Sequence, residues 1–208
     1  MPKLYYSPTS CGAASFIAAY IAGVAIETEL VNVSTHTTAS GVDFYTINPK
    51  GNVPTIVLDS GVVLSEGAAT LQWIADQNPN TVAPTAGTDA RYEVIGALNY
   101  IASEVHSNFG PLFNPANSEE VKAVAKTNLG KKFSYLSDHV IGKQGTYLTS
   151  DQLTIADIYL YIVLSWHPYV GVDISSYPII AKFYETVKAL PEVVAAHERI
   201  GTSPATAV

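Results

Sequence analysis

The chain has 208 residues, 48% of them hydrophobic and 14% charged, which predicts a compact globular protein and not a disordered one. Its formal net charge of −7, with no cluster of Lys or Arg, argues against nucleic acid and anionic membranes as partners. The single cysteine excludes an internal disulfide and a multi-cysteine metal site, so no metal is expected, and without an apolar signal segment the protein is expected to be cytoplasmic.

The first eighty residues alternate strand and helix patterns in the order β-α-β-α-β-β-α. The predicted strands are "KLYYS", "ETELVNV", "TIVLD" and "VVLS", and the helices are "CGAASFIAAYIA", a short "SGVDFYTIN" and "EGAATLQWIADQ". A βαβ unit requires a parallel pair of strands, whereas the tight turn Asp59-Ser60-Gly61 joins the last two as an antiparallel hairpin. We therefore predict a four-stranded mixed sheet with helices on both faces over residues 1–78.

A Pro-, Asn- and Thr-rich stretch, residues 79–88, predicts a linker to an all-helical domain over residues 89–208. Helices are expected over about 89–109 and 118–141, then in "LTIADIYLYIVLSWH" and "PIIAKFYETVKAL", before a frayed tail over 201–208. The third of these is nearly all apolar, so we expect it to be the buried central helix. Thr154 and Asp157 have the spacing of a capping box at its start.

Cys11 lies where the first helix begins, after the turn Pro8-Thr9-Ser10. Two interpretations are open. The thiol is either a small apolar group packed against the sheet or a reactive group whose pKa is lowered by the free N–H groups of the helix start.

Two further features of the first domain are typical of a ligand site. Val53-Pro54 stands at the entrance of a strand, where a cis bond would turn the Val53 backbone outward to pair with a peptide-like ligand. Glu66-Gly67 opens the last helix, where backbone N–H groups suit a carboxylate and Glu66 suits an amine. Each has a simpler interpretation: a strand-start proline, and an acidic residue that complements the helix dipole.

The whole chain resembles the glutathione transferases, most closely the bacterial cysteine-bearing (beta) class. The resemblance is carried by "YYSPTSCG", "NPKGNVPTIVLDSGVVLSEGAATLQWIAD", "RYEVIGALNYIASEVHSNFGPLF" and "LTIADIYLYIVLSW". It implies a thioredoxin-like first domain followed by the helical domain. It also implies an enzyme that conjugates glutathione, its co-substrate, to small hydrophobic electrophiles, works as a homodimer and needs no other cofactor.

Carried over to this sequence, the resemblance implies a role for each candidate site residue. Catalysis would involve Cys11, which faces the glutathione sulfur and can form a mixed disulfide with it, together with Ser10 and His106. Glutathione would be bound by Val53, the cis-proline Pro54, Glu66, Gly67, His36 and Asn99. The residues Asn99, Ser103 and His106 have the spacing of one α-helical face. The candidates for the electrophile site are Tyr100, Phe109, Phe113 and Trp166, although Trp166 also suits core packing.

The chain departs from the family pattern at several positions, and more than one function stays open. The family usually has Lys where this chain has His36, so the glycyl carboxylate of glutathione would be bound more weakly and in a pH-dependent way. Thr9-Ser10-Cys11 is similar to the motif of the glutathione-dependent maleylacetoacetate isomerases (zeta class), but Ala14 replaces their Arg. The same residues also suit a glutathione-dependent disulfide or peroxide reductase acting through Cys11, or a non-catalytic glutathione-binding scaffold.

Overall fold

The structure is a computed structural model that describes residues 1–201, so the predicted tail, apart from Gly201, lies outside the described residues. The described chain forms two compact units. The first contains residues 1–88 and 190–201, and the second contains residues 89–189.

The first unit is built on a mixed β-sheet. Its elements are β1 (Lys3–Tyr6), α1 (Gly12–Ile21), β2 (Glu27–Asn32), β3 (Thr37–Thr38), a 3₁₀ turn (Phe44–Thr46), β4 (Thr55–Val57), β5 (Val63–Ser65), α2 (Gly67–Gln77) and α8 (Pro191–Arg199). The strand order is β3-β2-β1-β4-β5, with β1 and β2 parallel and the other neighbours antiparallel. The thioredoxin-like sheet is confirmed, but it has five strands and not the predicted four. The strand that the prediction missed, β3, pairs only two residues, too few to give a periodic signal.

Successive side chains of β1 point to opposite faces of the sheet, and each face has its own apolar cluster. Tyr6 stacks on Phe16 of α1 at a ring distance of 5.1 Å, and both side chains are buried. The intervening Tyr5 belongs to a second apolar cluster with Val31, Phe44 and Val53. The short helix predicted in "SGVDFYTIN" is a single 3₁₀ turn in the structure. Its buried Phe44 packs on the face of the sheet to which Tyr5 points.

Helix α8 belongs to the first unit, whereas the sequence prediction placed all of residues 89–208 in the helical domain. It packs against α1, and Arg199 lies over the ring of Tyr20 at 5.7 Å. Just beyond α8, the Gly201 N–H donates to the Tyr6 hydroxyl at 2.7 Å. The sequence of α8 alone does not predict these contacts, because its partners in α1 and β1 lie near the other end of the sequence. The domain boundaries proper stay a prediction.

The second unit is helical. It contains α3 (Asp89–Tyr100), a π-helix (Ile101–His106), α4 (Ser107–Phe113), α5 (Glu119–His139), α6 (Ile155–Leu164), two 3₁₀ turns (His167–Val170 and Ile174–Ser176) and α7 (Pro178–Lys188). The predicted helix over 89–109 is present as a run of helical residues without a break. Its middle part is the π-helix, which the sequence prediction missed.

Helix α6 is the buried centre of this unit, as predicted, because all ten of its residues are buried. The predicted capping box is present at its start. The two carboxylate oxygens of Asp157 accept three hydrogen bonds: from the Thr154 N–H at 2.8 Å, the Thr154 hydroxyl at 2.6 Å and the Leu148 N–H at 2.9 Å. Asp157 thereby satisfies a free backbone donor of the helix start and anchors the preceding loop.

Across the described residues, helices of sufficient length to cross a bilayer lack the necessary run of apolar side chains.

Candidate active site

The starts of helices α1 and α2 lie side by side in the first unit. Ser15 and Thr70, each the fourth residue of its helix, are joined through their hydroxyl groups at 3.0 Å. The Thr70 hydroxyl donates to the Gly67 carbonyl, so Ser15 is the donor to Thr70. The fold therefore brings together Cys11, which precedes α1, and Glu66, which precedes α2. The dipoles of two helix N-termini make this edge attractive to anionic groups. At the start of α1 the N–H groups of Gly12, Ala13 and Ala14 already donate to Ser10 and Cys11.

Cys11 is an un-ionised thiol in this structure. Its Sγ donates a weak hydrogen bond to the Val53 carbonyl at 3.4 Å. Burial, with a smaller contribution from the Glu66 carboxylate, raises the pKa of Cys11 to about 11, although the N–H groups of Cys11 and Gly12 oppose the shift. The lowered pKa that the sequence suggested is thus wrong for the ligand-free protein, because the loss of hydration outweighs the helix start.

Val53 is held by a loop with its own hydrogen-bond network. The Val53-Pro54 bond is cis, as the resemblance implied. The buried Asn48 amide donates to the Asn52 carbonyl and to the Thr55 hydroxyl, both at 2.9 Å. Within residues 1–201 no group accepts a hydrogen bond from the Val53 N–H, whereas the Val53 carbonyl accepts from Cys11. The Val53 backbone therefore has one unused donor and one acceptor occupied only by a thiol.

Glu66 adopts a backbone conformation that few non-glycine residues adopt. Its φ is 77° and its ψ is 124°, directly before α2. Conformations of this kind cost about 1–3 kcal/mol and concentrate at functional sites. The exposed Glu66 carboxylate pairs with the Lys50 ammonium at 2.7 Å. Any ligand amine that binds Glu66 must share it with Lys50, a neighbour that the sequence analysis did not single out.

Ser10 is occupied by local hydrogen bonds. Its hydroxyl donates to the Ser7 carbonyl at 2.9 Å and accepts from the Gly12 N–H at 3.0 Å. The single proton of Ser10 is thus used within the turn, and its predicted contact with a thiol stays a prediction. A side chain at Gly12 would come within 3.0 Å of the Tyr6 Cβ and 3.1 Å of the Ser10 hydroxyl. Glycine at this position lets the helix start approach β1 closely.

His36 lies in the loop between β2 and β3. Its ring packs on Tyr45 at 4.4 Å, and its Nδ1 is 3.2 Å from the Gly51 carbonyl. A carbonyl only accepts hydrogen bonds, so Nδ1 carries a proton. In the neutral ring Nε2 is then an acceptor alone, and only the protonated ring can donate from Nε2 to a carboxylate.

In the second unit, Asn99, Ser103 and His106, which were predicted to share one helical face, differ in their exposure. Asn99 and Ser103 are exposed, whereas His106 is half-buried and its Nδ1 lies 2.7 Å from the Tyr159 hydroxyl. A π-helix lies between them, and its i→i+5 turn holds more residues than the α-turn on which the predicted spacing relied, so their common face stays a prediction.

Three of the four residues predicted for the electrophile site form one aromatic cluster, and the fourth packs elsewhere. Phe109 and Phe113 meet Trp166 edge-on at 5.8 Å and 5.6 Å, and Trp166 also lies 4.9 Å from the His106 ring. Tyr100 instead packs against Tyr135 at 5.0 Å, beside a separate cavity of about 400 Å³ between α3 and α5. Tyr100 is thus apart from the aromatic cluster. Only Phe113 in that cluster is well exposed, and Trp166 is buried, in keeping with a packing role.

Sequence reasoning missed Tyr159, the partner of His106. The only signal was a tyrosine within an otherwise apolar helical run, which needs a hydrogen-bond partner when buried. The predicted catalytic residue Cys11 and the predicted glutathione-binding residues Val53, Pro54, Glu66 and Gly67 lie at neighbouring points of the first unit. Their individual roles stay predictions. In the described part of the chain, no group of three or more His, Cys, Asp or Glu side chains could hold a metal ion.

Comparison with known proteins gives consistent matches. Residues 11–77 match the family described as "Glutathione S-transferase, N-terminal domain" and residues 100–191 match "Glutathione S-transferase, C-terminal domain". The chain is 36% identical to glutathione S-transferase GstA of Escherichia coli O157:H7 over 193 residues, 92% of this chain and 94% of that protein.

Two solved structures are also similar. A beta class glutathione S-transferase from Sphingomonas chungbukensis is 38% identical with a TM-score of 0.87, covering 96% of this chain and 98% of that one. A sphingomonad glutathione S-transferase complexed with glutathione is 38% identical with a TM-score of 0.89, covering 97% and 100%.

Proposed function

Because the chain belongs to the glutathione S-transferase family and is a glutathione transferase enzyme, we propose that it conjugates glutathione to small hydrophobic electrophiles. In this proposal the glutathione thiolate is the nucleophile and no other cofactor takes part. Aligning thiolate and electrophile, and stabilising the anion with hydrogen-bond donors, supply the rate acceleration. A homodimer, which is general in the family, is proposed for this chain as well.

The observation that carries the proposal is the convergence of Cys11, Val53 and Glu66 at the paired starts of α1 and α2. The ligand needs an amine and a carboxylate at one end, a peptide group in the middle and a thiol. Glu66 and the N–H groups of α2 suit the first, the Val53 backbone the second, and the α1 start the third.

Glutathione binding by calorimetry, followed by conjugation of a model aryl halide, tests the proposal. We expect Glu66→Ala to weaken glutathione binding by about 1.5–3 kcal/mol, the range for a hydrogen bond to a charged group. Glu27→Ala, which also removes an exposed glutamate of the first unit, is the matched control and should bind like the parent. Equal affinity in Glu66→Ala and the parent would remove Glu66 from the site, and an inactive parent would refute the proposed reaction.

We propose that His36 binds the glycyl carboxylate only when its ring is protonated, because Nδ1 is already committed to the Gly51 carbonyl. Affinity for S-methylglutathione should therefore fall on the order of tenfold as the pH rises and the ring loses its proton. The other charged groups nearby, Lys50 and Glu66, are paired with each other at 2.7 Å.

His36→Lys should bind S-methylglutathione with little pH dependence, since lysine keeps its charge. An S-methylglutathione whose glycine carboxylate is converted to an amide serves as the ligand control, because it removes the group that His36 would bind. Unchanged pH dependence in His36→Lys would exclude His36 from the site.

A reductase acting through Cys11 has less support. Its chemistry needs a thiolate at Cys11, and the raised pKa of that thiol leaves little thiolate near neutral pH in the ligand-free protein. Conjugation in the absence of disulfide reductase activity is the expected profile.

A further inference from the structure

His106 is held between two buried aromatic side chains of the second unit. Its Nδ1 lies 2.7 Å from the Tyr159 hydroxyl, with the two rings nearly perpendicular at 89°. The centre of the Trp166 ring lies 4.9 Å from the centre of the imidazole, with the two rings tilted at 59°. Tyr159 is only 3% exposed, so its hydroxyl has a fixed place beside the histidine. The imidazole is therefore restricted in both position and rotation.

We propose that Tyr159 is a positioning residue that holds His106 as the neutral ring with its proton on Nε2, making it a hydrogen-bond donor and not a base. The proposal rests on the proposed function, in which His106 acts on the reacting groups. We assign the Tyr159 hydroxyl as the donor in its hydrogen bond with His106 Nδ1. A phenol donates more readily than it accepts, and a neutral imidazole has one good acceptor nitrogen. Which nitrogen of a histidine carries the proton is set by the hydrogen bond that the other nitrogen makes.

The charge state of the ring follows from its surroundings. Burial lowers the pKa of His106, which favours the neutral form near pH 7.5. The groups in ring contact with it, Tyr159 and Trp166, carry no charge. The nearest acid on its own helical run, Glu104, is paired with Lys132 at 2.5 Å. Nothing described around the ring thus favours a protonated imidazole.

The π-helix is the second observation that points to His106. The π segment ends at His106, whose side chain contacts Tyr159 of α6. Such segments replace well-formed α-helical hydrogen bonds and occur frequently at functional sites. A fixed Nε2–H at this point would stabilise negative charge on a sulfur or a leaving group without any proton transfer.

The tautomer is measurable without activity. In ¹⁵N-labelled protein at pH 7.5, long-range ¹H–¹⁵N spectra should show His106 with a protonated Nε2 and a bare Nδ1. The signals are assigned by their loss in His106→Gln. In Tyr159→Phe the ring should become a mixture of both tautomers. Tyr161→Phe is the matched control, since it removes the hydroxyl of another buried tyrosine of α6, one that stacks on Tyr184. There the His106 spectrum should be unchanged.

Kinetics give the second readout. Tyr159→Phe should lower kcat on the order of tenfold with KM for glutathione nearly unchanged, the effect of one misdirected hydrogen bond. His106→Gln, whose amide nitrogen can replace Nε2–H as a donor, should keep more activity than His106→Leu. If His106 were a general base, His106→Gln would lose as much activity as His106→Leu, because neither side chain can take up the proton.

The outcomes separate the two proposals. Protonated Nδ1 in the wild type, or an unchanged tautomer in Tyr159→Phe, overturns the positioning role. A wild type that conjugates nothing refutes the proposed function, yet the spectra of wild type and Tyr159→Phe still decide whether Tyr159 fixes the tautomer.

Discussion

Replacing Cys11 with alanine should abolish the mixed disulfide with oxidised glutathione while leaving most of the conjugation activity. In the wild type, the Cys11 thiolate attacks one sulfur of oxidised glutathione, forms the new disulfide and releases the other half as glutathione thiolate. Without Cys11 no protein sulfur remains that could form this disulfide, since it is the only cysteine of the chain. Conjugation uses the glutathione sulfur itself, so we expect a loss within about tenfold.

The rate of adduct formation should report the environment of Cys11. Since burial raises its pKa to about 11, the thiolate fraction grows about tenfold with each pH unit between pH 7 and 10. Intact mass spectrometry at a series of pH values follows the adduct, and a reductant should reverse it. A rate that levels off at or below pH 8.5 would contradict the raised pKa. Loss of all conjugation in a Cys11→Ala protein that still binds glutathione would make Cys11 essential for thiol activation.

Asp157→Ala should strongly destabilise the second unit. It removes the acceptor of three buried hydrogen bonds, from the Thr154 N–H, the Thr154 hydroxyl and the Leu148 N–H. Each buried donor left unpaired costs about 1–3 kcal/mol, so we expect a loss of about 3–5 kcal/mol in the free energy of unfolding. Domains of this size are stable by only about 5–15 kcal/mol, so a large part of the stability would be lost.

Urea unfolding at pH 7.5 measures this loss. Burial raises the pKa of Asp157 to about 6, so the wild-type group is ionised at that pH. Asp138→Ala, which removes an exposed aspartate of α5, is the control and should unfold within about 0.5 kcal/mol of the parent. Asp157→Asn keeps one acceptor oxygen and should fall between them. Equal midpoints for Asp157→Ala and Asp138→Ala would show that the capping box contributes little.

The sequence by itself determined the features that depend on near neighbours along the chain. The turn at Asp59-Ser60-Gly61 joins β4 to β5, and Gly61 has the positive φ of 82° that such a turn requires. The capping box at Thr154 and Asp157 was predicted from a spacing of three residues, and the burial of α6 from its continuous apolar composition. Signals of this kind are local, because capping, periodicity and turn geometry act over a few residues.

The tertiary structure alone decided the electrostatic state of the site. The position of Cys11 at a helix start could be predicted, but its pKa could not, because the shift comes from burial in the folded chain and from the Glu66 carboxylate. The same holds for the ion pair of Glu66 with Lys50 and for the hydrogen bond of His36 to Gly51. Each depends on side chains brought together by folding.

The π-helix is a feature that the local pattern did not predict. A spacing of four and seven residues placed Asn99, Ser103 and His106 on one face, which holds for an α-helix. In the structure, His106 instead contacts Tyr159, 53 residues away, and Tyr100 faces Tyr135 on α5. Contacts with α5 and α6 determine where these side chains lie, and a helical period read from one segment contains no information about the helices packed against it.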